Sequence, residues 1–186
     1  MKPLLATLLA VISFATAKAQ VYWPPSADTV TYSQLNAYRQ TFCDHLPKPI
    51  GITSDYAHLF TDAERHTLNN VIDSFRKKTS VQVCIVTLDT ICVANDKFDD
   101  LALHIANAWG VGEKGKNNGI TICLSAGYRR IRICNGNGIV KIMSNNETAD
   151  IIDNTIIPAI NKEGYYVGMK AALNAIMKKL SSRMPH

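Results

Sequence analysis

The most chemically suggestive stretch of the 186-residue sequence is Gly110 to Asn117, Gly-Val-Gly-Glu-Lys-Gly-Lys-Asn. It comes within one residue of the pattern G-x-x-x-x-G-K-[ST], whose backbone amides and lysine cradle nucleotide phosphates. Asn117 stands where a hydroxyl would hold Mg²⁺, and the stretch leaves an expected helix to enter an expected strand. That order supplies no helix N-terminus to receive phosphate, so nucleotide binding is not expected. Gly136-Asn137-Gly138 does follow a strand-like run, but Lys141 occupies the third glycine position of a dinucleotide fingerprint. A tight turn that needs positive φ is the simpler reading of those glycines.

Patterns for nucleophiles and metals also fall short. Cys123 replaces the first glycine of a G-x-S-x-G elbow around Ser125. His58, His66 and His104 lack zinc-site spacing. Asp96, Asp99 and Asp100 cluster at an expected helix start, where the helix dipole favours anions without any catalysis. Arg130 and Arg132 alternate with Ile131 and Ile133, as on a strand with one wet face. The five cysteines are odd in number and contain no Cys-x-x-Cys. Cys84, Cys123 and Cys134 lie in apolar runs and read as buried thiols, whereas Cys43 and Cys92 lie outside them and are candidates for a bridge.

The elements that must position these groups begin after a leader. Residues 1–19 read as a signal peptide: Lys2, an apolar stretch from Leu4 to Ala15, then the small-x-small site Ala17-Lys18-Ala19 before Gln20. The formal charge is +5, and losing Lys2 and Lys18 lowers it to +3. The remaining bases are scattered among acids, which excludes a basic block that tracks nucleic acid. No later stretch approaches the roughly 20 apolar residues of a membrane span. A soluble, monomeric, secreted or periplasmic protein is expected.

Residues 20–52, with Trp23-Pro24-Pro25 and Pro47-Lys48-Pro49, read as an extended arm carrying at most a short helix near Ser33 to Phe42. A domain over 53–182 follows. Thr61 and Glu64 form a capping box for a helix over 62–78 with Leu68, Val71, Ile72 and Phe75 on one face. Val81 to Leu88 reads as a buried strand. Asp96 is expected to cap a helix burying Phe98, Leu101, Ala102, Ile105, Ala108 and Trp109, stopped by Gly110. Strands over 119–125 and 129–135 are joined too tightly for anything but an antiparallel hairpin, whereas the helical crossover before them demands a parallel pair. Ser144 and Glu147 cap a helix that should bury Ala149, Ile152, Ile156 and Ala159 and bend at Pro158. A last helix aligns Met169, Ala172, Leu173, Ile176 and Leu180. Together these elements predict a three-layer α/β/α sandwich with a small mixed sheet.

Asp55-Tyr56-Ala57-His58-Leu59-Phe60, Trp109-Gly110-Val111-Gly112, Asn118-Gly119, Arg129, Gly136-x-Gly138, Pro158 and Gly164-Tyr165-Tyr166-Val167-Gly168 occur in an order that resembles the TPM domain family. The resemblance spans about Thr53 to Leu180. It implies an α/β/α sandwich, export, and divalent-cation binding or weak phosphatase activity in some members. It also implies departures: Asn117 where relatives often carry Asp, Val140 where they usually carry Glu, and Asn145 where they usually carry Asp. Ca²⁺ takes six to eight oxygens, usually with several carboxylates, so a cation held by those acids should bind weakly or not at all here.

No cofactor is therefore expected, with weak Ca²⁺ or Mg²⁺ binding left open, and no catalytic residue is assigned. Gly112, Asn117, Asn118, Gly136, Gly138 and Asn145 are expected to share one polar rim of the sheet. Asp55 should lie at the opposite end, beside Asp89, as a loop-capping carboxylate. The expected function is a non-catalytic accessory module recognising an unidentified protein or envelope partner through that rim. The alternative is a weak divalent-metal-dependent acid phosphatase.

Overall fold

The computed structural model describes residues 30–184. The expected signal peptide and the arm before residue 30 lie outside the described residues. A four-stranded sheet in the order β1-β2-β3-β4 is built from Thr53–Asp55, Gln82–Thr87, Gly119–Ser125 and Arg130–Asn135. The first two pairings are parallel and the last is antiparallel. Strand β1 is a fourth, edge strand beyond the three expected ones. Its three residues, Thr-Ser-Asp, are too few and too polar to print a periodic signal.

Helix α1 (Tyr32–Asp44) precedes β1, α2 (Asp62–Thr79) joins β1 to β2, and α3 (Phe98–Trp109) joins β2 to β3. After β4 come the short α4 (Asn137–Val140), α5 (Asn145–Ile151), α6 (Ile157–Glu163) and α7 (Tyr165–Ser181). Residues alternate across the sheet as a pleat requires: Val83 and Ile85 face the layer of α2 and α5–α7, whereas Cys84 and Val86 face α3. Each face thus holds its own apolar cluster, and the result is the three-layer α/β/α sandwich. The stripe on α7 is buried as its spacing demands, at Met169, Ala172, Leu173, Ile176 and Leu180.

Both capping boxes form, at Thr61/Glu64 and Ser144/Glu147. Other expectations need correction. Asp96 does not cap α3; it sits in a 3₁₀ turn, Asn95–Lys97, and Lys97 precedes the helix without a side-chain cap. Val71 is 38% exposed, because the buried stripe on α2 is the narrower Leu68, Ile72 and Phe75. Ala108 is exposed at the end of α3. The buried set after Ser144 is Thr148, Ile151 and Ile156, with Ala149 exposed. Pro158 has no N–H and its ring crowds the carbonyl four residues earlier. The chain accommodates it with a π-helical turn at Ile152–Ile156, and the extra residue shifts the helical phase.

The short helix expected in the arm near Ser33 to Phe42 forms as α1, and the arm packs on the domain. Phe42, Cys43 and Leu46 rest against the α3-side cluster. Arg39 Nη2 donates to Thr90 O at 2.9 Å, and Trp109 Nε1 donates to Pro47 O at 3.1 Å. All five cysteines are free thiols, Cys43 and Cys92 included. Burial pushes Cys92 up to about 11 and Cys84 up to about 12, and raises Cys123 and Cys134 as well.

Candidate functional site

Strands β2 and β3 run parallel, so the sheet has one rim at their N-terminal ends and one at their C-terminal ends. Gly110, in the left-handed conformation, stops α3 and starts a loop that enters β3 at Gly119 at the N-terminal rim. The end of β4 returns to the same place, and Gly136 N donates to Gly119 O at 2.8 Å. Gly136 and Gly138 do not adopt the positive φ expected of them: Gly136 is extended at φ −65° and caps α4. Their glycine character answers a close approach instead. A Cβ on Gly136 would strike Asn117 O, and one on Gly138 would strike Lys116 O.

This clamp shapes a cavity of about 360 Å³ between the end of α3, the loop and the first turn after β4. Gly112, Asn117 and Gly136 line it. Asn118 points inward and is buried: its Oδ1 accepts from Glu113 N at 2.8 Å, and its Nδ2 donates to Ser80 O at 2.8 Å. It fastens the loop to the end of α2 and is not a ligand group. Gly138 packs behind the loop on Lys116, and Asn145, the exposed first residue of α5, does not line the cavity. Val140 closes α4 and is not in the lining either.

Among the polar residues that line the cavity, Asn107, Thr121 and Asn135 belong to none of the sequence motifs. Thr121 was legible as a polar residue inside an apolar strand, and Asn135 as an amide ending β4 just before Gly136. Asn135 Nδ2 donates to Thr148 Oγ1 of α5 at 2.7 Å, so its side chain lies on the α5 face of the sheet, as Ile133 does, and its buried Oδ1 finds no partner among the described residues. Glu113 is the one carboxylate among the lining residues, and Lys116 Nζ lies 2.6 Å from it. Glu147 caps α5 and receives Arg183 Nη2 at 2.7 Å and Lys179 Nζ at 3.1 Å. The Arg183 hydrogen bond, then the Ser144 backbone and Lys179, hold its carboxyl far below the usual range.

At the C-terminal rim Asp55 is 1% exposed and pairs in register with Thr87. Its carboxylate accepts from Leu59 N at 3.0 Å, Phe60 N at 2.9 Å and Thr87 Oγ1 at 2.5 Å. All of its partners belong to the loop entering α2 and to β2, which is the loop-capping role expected of it.

An α/β/α sandwich on a mixed four-stranded sheet, with a glycine-clamped cavity at its N-terminal rim, is the class of protein this geometry defines. The family model of the TPM domain matches residues 53–179, and the chain belongs to that family. Among solved structures, it is similar to the N-terminal domain of a protein from P. gingivalis, with 26% identity and a TM-score of 0.64 over 74% of this chain and 89% of that one. It is also similar in fold to the BA42 protein of the psychrophilic bacterium Bizionia argentinensis, with 16% identity and a TM-score of 0.60 over 70% and 87% of the two chains. The N-terminal domain of the cg2496 protein from Corynebacterium glutamicum gives 16% identity and a TM-score of 0.55 over 73% and 84%. No curated protein matches the chain.

Proposed function

We propose that this TPM domain is an exported, non-catalytic binding module of the cell envelope that grips a protein partner in the N-terminal rim cavity. The observation that carries the reading is the chemistry of the cavity wall. It presents the Asn107 and Asn117 amides, the Thr121 hydroxyl and glycine backbone, beside Glu113 and Lys114. Amides and exposed backbone suit a polypeptide segment, which offers donors and acceptors in alternation.

The same wall is a poor host for a divalent cation. Ca²⁺ and Mg²⁺ need convergent oxygens with enough negative charge to offset dehydration. Here Glu113 is already ion-paired to Lys116, and Lys114 adds a further positive charge to the lining. Among the described residues no group of three or more His, Cys, Asp or Glu side chains converges. No hydrolytic step is therefore assigned.

The reading also supposes release from the membrane after cleavage at Ala19, as the leader-like residues Lys2 and Leu4 to Ala15 suggest. No helix among the described residues is long and apolar enough to cross a membrane. Mass spectrometry of protein recovered from the producing cell should find Gln20 at the N-terminus. Phosphatase assay with p-nitrophenyl phosphate, with and without Mg²⁺ or Ca²⁺, tests the non-catalytic half. The expected rate is background. Metal-dependent turnover abolished by Asn117→Ala would overturn the reading in favour of a weak acid phosphatase.

A further inference from the structure

A second cavity, of about 450 Å³, lies at the other end of the sheet, beneath the β3–β4 hairpin and against α6 and the start of α7. Its wall is of two kinds. Leu124, Ile131, Ile157 and Ile160 supply an apolar side, and Arg129, with Asn161, supplies a polar one. Several features of the fold lead to this cavity.

The hairpin closes with Arg129 N donating to Ala126 O at 3.0 Å, and Arg129 itself sits at φ 52°. A left-handed residue at the end of the turn is the ordinary close of a short hairpin loop. Its neighbour Arg130 is fully engaged: Asp99 lies 2.7 Å away, Asn95 O accepts at 2.7 Å, and the Phe98 ring lies beneath it. Arg129 makes only one side-chain hydrogen bond, from Nη2 to Asn161 Oδ1 at 3.4 Å, and no acid pairs with it among the described residues. With Oδ1 so used, the Asn161 amide N–H₂ is a further donor for a ligand.

The apolar side is equally specific. The π-helical turn at Ile152–Ile156 sends Ile156 into the core and leaves Ile157, 40% exposed, facing this cavity. Ile160 lies against Gly168, where any Cβ would collide with its Cγ1. The Gly164-Tyr165-Tyr166-Val167-Gly168 segment thus seats Ile160, and Tyr165 closes the wall by donating to Ala126 O at 3.4 Å.

We infer that this cavity binds the C-terminal carboxylate of a polypeptide whose last residue is a branched aliphatic one. Arg129 and Asn161 provide convergent donors for a carboxylate, a pairing that a guanidinium makes with particular strength. The apolar wall accommodates one branched side chain beside it, and the volume leaves room for a residue or two more. A phosphate makes no use of the isoleucines. This site does not depend on the N-terminal rim cavity.

The test is a ¹⁵N NMR titration of the full chain with N-acetyl-Ala-Ala-Leu carrying a free carboxylate. Parallel titrations use its C-terminal amide, free leucine, octanoate and inorganic phosphate. The acid peptide should shift the resonances of Arg129, Ile157, Asn161 and Tyr165. Its affinity should fall at least about tenfold on amidation and in Arg129→Gln, the loss expected for a charge-assisted hydrogen bond. Ile157→Glu, at a half-exposed position that tolerates a polar side chain, should weaken it as much by placing a like charge beside the carboxylate. Equal binding of acid and amide would overturn the inference. So would unchanged binding in either variant, tighter binding of leucine, octanoate or phosphate, or no shifts at about 5 mM peptide, a concentration that reveals even millimolar affinity.

Discussion

The two rims of the sheet each fasten a loop with one buried polar side chain, but with different chemistry. At the C-terminal rim the side chain is charged: Asp55 spends both carboxylate oxygens on Leu59 N, Phe60 N and Thr87 Oγ1. At the N-terminal rim it is neutral: Asn118 spans Glu113 N and Ser80 O. The comparison shows that an acid close to a loop is no sign of a reactive site, because the carboxylate of Asp55 is consumed by its own chain. The neutral rim leaves its neighbours Asn117 and Thr121 facing a cavity. Structural support and recognition have been separated onto different residues.

That contrast is broken most strongly at Asp55. Asp55→Ala strands three buried donors, so a loss of about 4 kcal/mol is expected in urea unfolding, with the slope of the transition unchanged. Asn118→Ala strands one donor, Glu113 N, and two acceptors on Ser80, of which the hydroxyl can turn to another partner, and about 2–3 kcal/mol is expected from the same measurement. If Asn118→Ala cost more than Asp55→Ala, the charged rim would not be the stronger fastening. Gly136→Ala should cost about 1–3 kcal/mol, because the Cβ meets backbone and not a side chain that can rotate away. Its distinguishing readout is local: amide shifts should move at Asn117 and stay fixed at Leu59 and Phe60.

Glu147 sharpens the comparison through pH. Its carboxyl is held low by Arg183, by the Ser144 backbone and by Lys179. A depressed carboxyl stabilises the fold above its unfolded value of about 4.3 and loses that contribution as pH falls through the lower folded value. Glu147→Gln should therefore lower Tm at neutral pH by the smallest amount of this set, with the gap to wild type closing as pH falls below about 4. The buried thiols behave oppositely. Cys92 and Cys84, raised to about 11 and about 12, favour the fold below pH about 9 and cease to do so as pH rises through those values. Thiol reagents at pH about 8 should label both only as fast as the protein opens.

Much of this architecture was legible because its signals are local. The Thr61/Glu64 and Ser144/Glu147 boxes, the stripe on α7 and the tight link between β3 and β4 each fix structure within a few residues. What escaped depends on contacts between distant segments. Strand β1 exists because Thr53 to Asp55 can pair with Ile85 to Thr87, and nothing in three polar residues announces that. The glycines at 136 and 138 looked like turn residues, but the backbone of Lys116 and Asn117 pressing on them is what excludes a Cβ. The stripe after Ser144 was misread because the π turn before Pro158 adds a residue to the repeat. Gly112, Asn117 and Gly136 were placed on one rim by topology, whereas Asn118 and Asn145 share the neighbourhood without facing the cavity.

Isothermal titration of the chain with CaCl₂ tests the claim that the neutral rim recognises its partner without an ion. The account predicts only heats of dilution at about 5 mM Ca²⁺ and an unmoved Tm, since a ligand that binds the native state must raise it. A saturable heat, with a Tm rise that Glu113→Gln or Asn117→Ala removes, would contradict it.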